Sequence, residues 1–551
     1  MSRPLHTVFV ATLQGEHALP FRPGANLRDI LLAGRFALRS DCGGGGVCGQ
    51  CQVRVAESGS FPFAAGERLR LSGMQLGRGV RLACQLVPAA DLHVAIEQPA
   101  MQMGWRPLRT DEYSSPEPPF GMGRAAAQYG VAIDLGTTHL RLTLWNLATG
   151  ERMAGRAGLN PQGSYGADVL TRLMEAGRSA EVARELSGLV QQAIAEALAE
   201  IAEQEALDLQ GIGEVRLVGN TAMLSLLAGK NYAPLLQPEN WTRRLDCQPQ
   251  DVSFLRAAWG TGRNAVIRFV TPLGGFIGSD LLAGVIATRL TEQAAGSLLI
   301  DFGTNSEMAL WDGHTLHVTS TAGGPAFEGC GISCGMPAGA GAIYRVAQDG
   351  DTGFGIRVLG EVEPSGLCGS GLVDAVAWLR RNGRLDKVGR FSGAGGAGFM
   401  LHEGERRIEV KPADIDVLQR AKAAIGGGVR WLCQRAGLEL EALRQVYACG
   451  AFGHLLDVDN ARQIGLLPPL PESAIRLEGN TALAGCEALL LSAEAERMLE
   501  TLLAVSRVYN LAGEADFETL FVESLYLQPM QDSGPVLQQG AGGRKAVHHA
   551  G

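Results

Sequence analysis

Residues 41–51 read DCGGGGVCGQC: Cys42, Cys48 and Cys51 stand in a C-x5-C-x2-C spacing around the run Gly43 to Gly46, and Cys84 follows after 32 intervening residues. Glycine reaches positive φ without steric cost, so this run can bend three thiols around one point. Four thiolates satisfy the two irons of a 2Fe-2S cluster, and a triplet with a distant singleton suits that group. Structural zinc is the competing occupant of a cysteine quartet, although zinc ribbons pair two short C-x2–4-C knuckles. The first gap is one residue longer than in the plant-type pattern.

The flanks build a frame for this loop. Thr7 to Leu13 reads as a strand, Gly15 and Glu16 as a turn, and His17 to Phe21 as the returning strand. Asn26 then caps a helix whose Leu27, Ile30 and Leu31 share one face, Gly34 ends it, and a strand begins at Gln52 after the cysteine loop. Hairpin, helix, loop and strand is a β-grasp order. The segment RLACQL around Leu82, Ala83 and Cys84 resembles the fourth-ligand segment of 2Fe-2S ferredoxins, which implies that fold for residues 1–97.

At 551 residues with 46% hydrophobic content, the chain has material for several packed domains. No N-terminal segment joins basic residues to an apolar core, and no stretch of 18 or more apolar residues occurs, so the expectation is a cytoplasmic protein with no membrane partner. A net charge of −9, without blocks of Lys and Arg, argues against nucleic acid. Of 11 cysteines, those outside the quartet are scattered, which suits a reducing compartment. Residues 98–128 carry prolines, glycines and polar residues without a period and read as a linker; residues 531–551 read as a disordered tail, in which His548 and His549 carry no metal site.

A second chemical signal starts at Val131. In VAIDLGTTHLRLTLWN an apolar strand ends in Asp134, a tight turn runs through Gly136, Thr137 and Thr138, and an alternating strand leaves. Glycine lets backbone N–H groups approach a phosphate, the threonine hydroxyls add donors, and the carboxylate can hold Mg2+ through water. LLIDFGTNSEMAL from Leu298 repeats the order with Asp301, Gly303, Thr304 and Asn305. Two pseudo-symmetric halves would set Asp134 and Asp301 face to face across a cleft. GNTA occurs twice, at Gly219 and Gly479, and VYACGAFG from Val446 leads a strand into Gly450 and Gly453.

These motifs, in this order over residues 129–530, resemble the superfamily of acetate and sugar kinases, heat-shock chaperones and actin. The resemblance implies an actin-like ATPase domain of two ribonuclease-H-like lobes closing on ATP and Mg2+, hence an α+β and α/β multidomain chain. Carried over, Asp134 and Asp301 take the magnesium and water-positioning roles, Gly136 to Thr138 and Gly303 to Asn305 cradle phosphates, and Gly450 and Gly453 approach the adenosine. Glu307 is a further candidate. Lys422 and Arg420, on a helix near the adenosine strand, read as a solvated face.

A 2Fe-2S domain joined to this ATPase is similar to the reductive activators of corrinoid proteins. The likeness rests also on PLGGFIGSDLLAG from Pro272, AGGPAFEGCGISCGMPAGAGAI from Ala322, GLCGSGLVDAVAWL from Gly366, DIDVLQRAKAAI from Asp414 and GAFGHLLDVDNARQIGLLP from Gly450. It implies a corrinoid protein as partner, an upstream electron donor, and ATP-driven return of one electron to an inactive cobalt(II) so that cobalt(I) can resume methyl transfer. Plant-type clusters sit near about −400 mV, and a one-electron deficit of about 60 mV already costs tenfold, so nucleotide binding must shift the balance. Better-known members carry a separate middle domain through which a homodimer forms; here only the linker separates Ile96 from Val131. Two other readings use the same motifs. A small-molecule kinase with a redox-sensing cluster would need a substrate-side base, and none is identified beyond the motif acids. An activator of radical dehydratases would share a cluster between subunits through Cys330 and Cys334.

Overall fold

The computed structural model describes residues 6–531 apart from 13–14, 35, 37, 41, 58–59, 98–103, 109–119, 122–126, 304, 351–352, 393–397, 405 and 451. Thr304 and the tail from 532, with His548 and His549, therefore lie outside the described residues, as does most of the linker.

Alternating Val8 and Val10 build the first strand, His6–Thr12, whose inward side chains are fully buried. Its antiparallel partner is Gly15–Phe21, and the pairing continues to Thr12 opposite Gly15, so Gly15 and Glu16 belong to the strand and not to a turn. Helix Leu27–Ala33 is capped by the Asn26 side chain, which accepts from Asp29 N–H, and ends at Gly34. The sheet has five strands in the order Gly15–Phe21, His6–Thr12, Leu92–Ile96, Gln52–Val55, Val80–Leu82. This β-grasp arrangement has its own core of Val8, Leu27, Leu31, Val53, Leu82 and Val94.

Two six-stranded sheets follow, and they repeat one plan. In the first, Tyr129–Leu135 lies between the parallel strand Ile212–Gly219 and the antiparallel strand His139–Asn146, with Val266–Phe269 and Glu151–Leu159 outside them. In the second, Ser297–Asp301 lies between parallel Gln445–Cys449 and antiparallel Ser306–Trp311, with Ile475–Leu477 and Leu316–Thr321 outside. Side chains buried on both faces explain the unbroken apolar runs of the central strands. Asp134 and Asp301 stand at corresponding ends.

Arg106–Pro107 adds an edge strand to the first sheet, and Trp105 lies against Gly158, so this part of the linker packs on the first lobe. Phe120 lies under the Arg289 guanidinium, 4.1 Å from its ring centroid. Between the lobes, helices Ser279–Ala287 and Thr481–Leu491 cross in near backbone contact: a Cβ on Gly485 would stand 1.9 Å from Ala283 O. Only glycine permits that approach, and it brings the N-termini of both helices to one cleft. Among the described residues no helix is long and apolar enough to cross a membrane.

One expectation fails in packing. Lys422 is not on a solvated face: it is 1% exposed, and its Nζ donates to Ser524 O and, at 2.6 Å, to Tyr526 O, holding the C-terminal segment on helix Pro412–Ala436. Burial pushes it down to about 7. Arg420 is exposed and pairs with Asp416 along the helix, as a solvated face requires.

Candidate cluster loop and nucleotide cleft

Gly43, Gly44, Gly46 and Gly49 have φ of 59°, 102°, 76° and 72°, which is how the loop turns its cysteines inward. The four thiols stand as two hydrogen-bonded pairs, Cys42 with Cys48 and Cys51 with Cys84. The Cys48 hydrogen bond pulls Cys42 down to about 4 against burial, and the Cys51 hydrogen bond lowers Cys84 in the same way. Cys51 and Cys84 are buried, while Cys42 and Cys48 are half-buried. Among the described residues no three acidic, histidine or cysteine side chains are already closed around one point. Two pairs, each carrying one thiol drawn toward thiolate, fit the two irons of a 2Fe-2S cluster with two sulfur ligands apiece.

The approach to Cys84 is fixed by a buried ion pair. Arg81 donates through Nε and Nη2 to the two carboxylate oxygens of Glu67, both at 2.8 Å, and both side chains are fully buried. Glu67 also accepts from Ala64 N–H and Leu82 N–H. Burial disfavours its charge, but the Arg81 and backbone hydrogen bonds outweigh it and hold Glu67 below the usual carboxylate range. Its contribution to stability is thus present above the unfolded carboxylate pKa and lost as pH falls through the lower folded value. Glu67→Gln leaves Arg81 buried without its counter-charge and is expected to cost about 3–5 kcal/mol. Denaturant melting of this domain, followed by the cluster's visible absorbance, checks it.

In the cleft, Asp134 is 5% exposed, and Asn480, which caps helix Thr481–Leu491, donates to it at 2.6 Å, with Arg141 at 3.5 Å. Asp301 is half-buried and still open to the cleft. Two further carboxylates complete the group. Asp280 lies in the first turn of helix Ser279–Ala287 and is half-buried; Glu307, opposite Asp301 across the hairpin, is sealed at 5%. Burial raises Asp134. Burial and then the Asp134 charge push Asp301 up to about 6; burial and then the charges of Asp301 and Asp134 push Asp280 up to about 8. Glu307 is raised well above its usual range by burial, then by Asp280 and Asp301. The charges of these carboxyls raise one another, yet among the described residues no three of them converge as a metal site on their own; that suits Mg2+, which is bound through few carboxylates, phosphates and water.

The hairpins flank this group. Gly136, Thr137, Thr138, Gly303 and Asn305 are half-buried and line the opening. Gly136 N–H donates to His139 O, and Thr138 Oγ1 donates across the lobes to Glu328 at 2.8 Å. Glu328 ends a turn, Pro325–Glu328, anchored by Phe327 against Phe302 and Phe452, the latter pair of rings at 5.3 Å. Gly450 has φ of 94°, and a Cβ there would sit 2.7 Å from Phe302 O and 3.1 Å from Asp301 Oδ1, so its place is beside the phosphate-side acid. Gly453 is buried, where a Cβ would meet Ala448 O at 2.7 Å; the tight turn itself requires glycine.

Asp280, Asn480, Arg141 and Glu328 were not singled out by sequence. Asp280 sits inside GFIGSDLLAG, and an acid two residues past a glycine at a helix start was the available signal. Cys334 Sγ donates to Glu409 O at 3.0 Å and accepts from Glu409 N–H, so the far hairpin of the second lobe engages it. Total iron of the loaded chain is expected near two per chain and unchanged in Cys330→Ser, as metal analysis would show.

Residues 11–89 match the family model of the 2Fe-2S iron-sulfur cluster binding domain, residues 129–293 that of the RACo middle region, and residues 295–536 that of the C-terminal domain of RACo, the ASKHA domain. The corrinoid activation enzyme RamQ of Eubacterium limosum is 30% identical over 427 residues, 72% of this chain and 70% of that protein. The chain belongs to the reductive activators of corrinoid proteins. A [Co(II) methylated amine-specific corrinoid protein] reductase of Methanosarcina barkeri is 29% identical over 66% of this chain and 70% of that protein. A solved reductive activator for corrinoid, iron-sulfur protein has the same fold, with a TM-score of 0.63 and 24% identity over 96% of this chain and 99% of that one. For this family member the middle-region match coincides with the first lobe, so the segment expected to be missing between linker and ATPase corresponds to residues 129–293.

Proposed function

We propose that this activator carries one electron from its cysteine-bound cluster to the cobalt(II) of a corrinoid partner protein, with ATP closing and reopening the two lobes. The observation that carries this is the union in one chain of two thiol pairs and a cleft where water-reachable Asp280 and Asp301 face two glycine hairpins. A bound 2Fe-2S cluster supplies a one-electron carrier of low potential.

The chain's own residues divide the remaining work. Cys42 and Cys48, half-buried, would hold one edge of the cluster, and buried Cys51 and Cys84 would hold the other in the domain core. Backbone N–H groups and hydroxyls of Gly136 to Thr138 and Gly303 to Asn305 receive the phosphates. Asp134, fixed by Asn480 and Arg141, and Asp301 would hold Mg2+, which would neutralise phosphate charge there. Asp280, half-buried and pushed up to about 8 by burial and then by the charges of Asp301 and Asp134, would accept the proton of the attacking water once a cation beside these carboxyls favours its ionised form. Thr138 to Glu328 links the lobes, so occupancy of the first hairpin bears on closure.

The reading includes an upstream one-electron donor, because each turnover leaves the carrier oxidised, and a cytoplasmic setting, supported by cysteines that form no disulfide among the described residues. A homodimer, to be read by light scattering, is supported only by the middle-region match. Cobalt(I) formation, followed by absorbance with a corrinoid protein, reductant and ATP, tests the whole. Equal yield without ATP would remove the nucleotide from the scheme; equal yield with a non-hydrolysable analogue would remove hydrolysis alone. Asp280 also provides the base that the kinase reading lacked. Release of inorganic phosphate with no phosphorylated product separates the two.

A further inference from the structure

The cluster loop is not surrounded by solvent. Its Gly43 edge is buried against the first lobe, where a Cβ on Gly43 would stand 2.2 Å from Thr171 Cγ2 and 2.7 Å from Tyr165 O. Its opposite edge, Gly45 and Val47, is exposed. The contact is organised by Arg28, a charged side chain only 1% exposed on helix Leu27–Ala33. Its Nε donates to Ser40 Oγ at 3.1 Å, just before the loop, and its Nη2 donates across to Ser164 O at 3.2 Å and Tyr165 O at 3.4 Å. Beside it Asp29 pairs with Arg178 at 3.1 Å, and Arg178 with Glu175 at 2.8 Å. On the other side, the backbone N–H groups of Leu27 and Arg28 donate to Leu86 O and Ala83 O, which flank Cys84. Arg28 therefore touches both arms of the cysteine site and the ATPase at once.

The carbonyls it grips belong to a short loop that starts at the phosphate hairpin. Asn160 Nδ2 donates to Gly136 O at 2.9 Å, and Asn160 N–H donates to Thr138 O at 2.8 Å. Asn160 then caps the turn Pro161–Ser164, and buried Arg172 holds the loop's end through Gly166 O at 2.8 Å. A phosphate at Gly136 to Thr138 would compete with Glu328 for the Thr138 hydroxyl and shift the carbonyls that Asn160 holds.

We propose that the Asn160–Gly166 loop couples nucleotide at the first phosphate hairpin to docking of the cluster domain, with Arg28 as the positioning residue of that interface and nucleotide binding releasing it. This rests on the ATPase reading above and adds a route from nucleotide to cluster. Release exposes the Gly43 edge as well as the Val47 edge, so the carrier is reloaded while docked and delivers when free. Coupling between two binding events is reciprocal, so if nucleotide weakens docking by some factor, docking weakens nucleotide binding by that same factor, and a variant that docks poorly binds nucleotide more tightly.

The experiment uses the full, cluster-loaded chain, with iron content and visible spectrum recorded for each variant. Amide hydrogen exchange of residues 27–46 and 160–178 is measured with and without a non-hydrolysable ATP analogue and Mg2+, and analogue affinity by calorimetry. The analogue is expected to raise exchange in both segments about tenfold, and Arg28→Met to raise it without nucleotide while tightening the analogue about 5- to 10-fold, at the low end of typical coupling. Arg178→Asp, at the half-exposed rim, should act in the same direction even where Arg28→Met fails to fold. Analogue binding that leaves exchange unchanged or lowers it, or equal analogue affinity in wild type and both variants, overturns the coupling while leaving the ATPase reading intact. Failure of the wild-type chain to bind analogue overturns both.

Discussion

Asp280→Asn is expected to lower ATP turnover by about 10²- to 10⁴-fold, the range of a general base, while analogue binding persists. The amide keeps the size of the side chain and removes the proton acceptor. A second consequence separates this from misfolding. Asp280 has a folded pKa of about 8, far above that of an unfolded carboxyl, so its stabilising contribution is present at low pH and lost as pH rises toward 8. The asparagine variant has no such loss, and without nucleotide it should melt higher than the wild type by a few degrees, with a larger gain at pH 8 than at pH 5. Mg2+-nucleotide should shrink the gap by neutralising the same carboxyls. Thermal melts at the two pH values, with phosphate release at each, check both parts; a destabilised variant or one with wild-type turnover would remove Asp280 from the reaction.

Cys42→Ser is expected to abolish cobalt(I) formation while leaving analogue affinity within about twofold of wild type. Cys42 pairs with Cys48 at the half-buried edge, so its loss takes one of the four sulfur ligands and leaves the apolar core of Val8, Leu31 and Val94 untouched. Loss of the visible absorbance together with retained nucleotide binding would establish that the two sites fold separately. A collapse of both would place the cluster among the supports of the ATPase fold.

These tests separate what local pattern and tertiary packing each contribute. The cysteine spacing with its glycines, the two strand-acid-glycine hairpins and the repeated GNTA were legible because each is written in consecutive residues whose chemistry depends on backbone freedom and side-chain type. From them, with the flanking strand and helix patterns and the long motifs between the hairpins, followed the β-grasp domain, the paired lobes with Asp134 and Asp301 at corresponding strand ends, and the family. Lys422 defeated the same logic, since a charged residue on a helix reads as solvated until carbonyls from residues 524 and 526, a hundred positions away, arrive to receive it. Asp280 joined the cleft only because Gly485 lets two interlobe helices close to backbone contact. Its raised pKa comes from neighbours contributed by separate strands. Arg28 likewise looks like an ordinary surface cation in sequence, and becomes a link between cluster and nucleotide only when the two domains meet. Burial and long-range contact set these properties, and neither has a local signature in the chain.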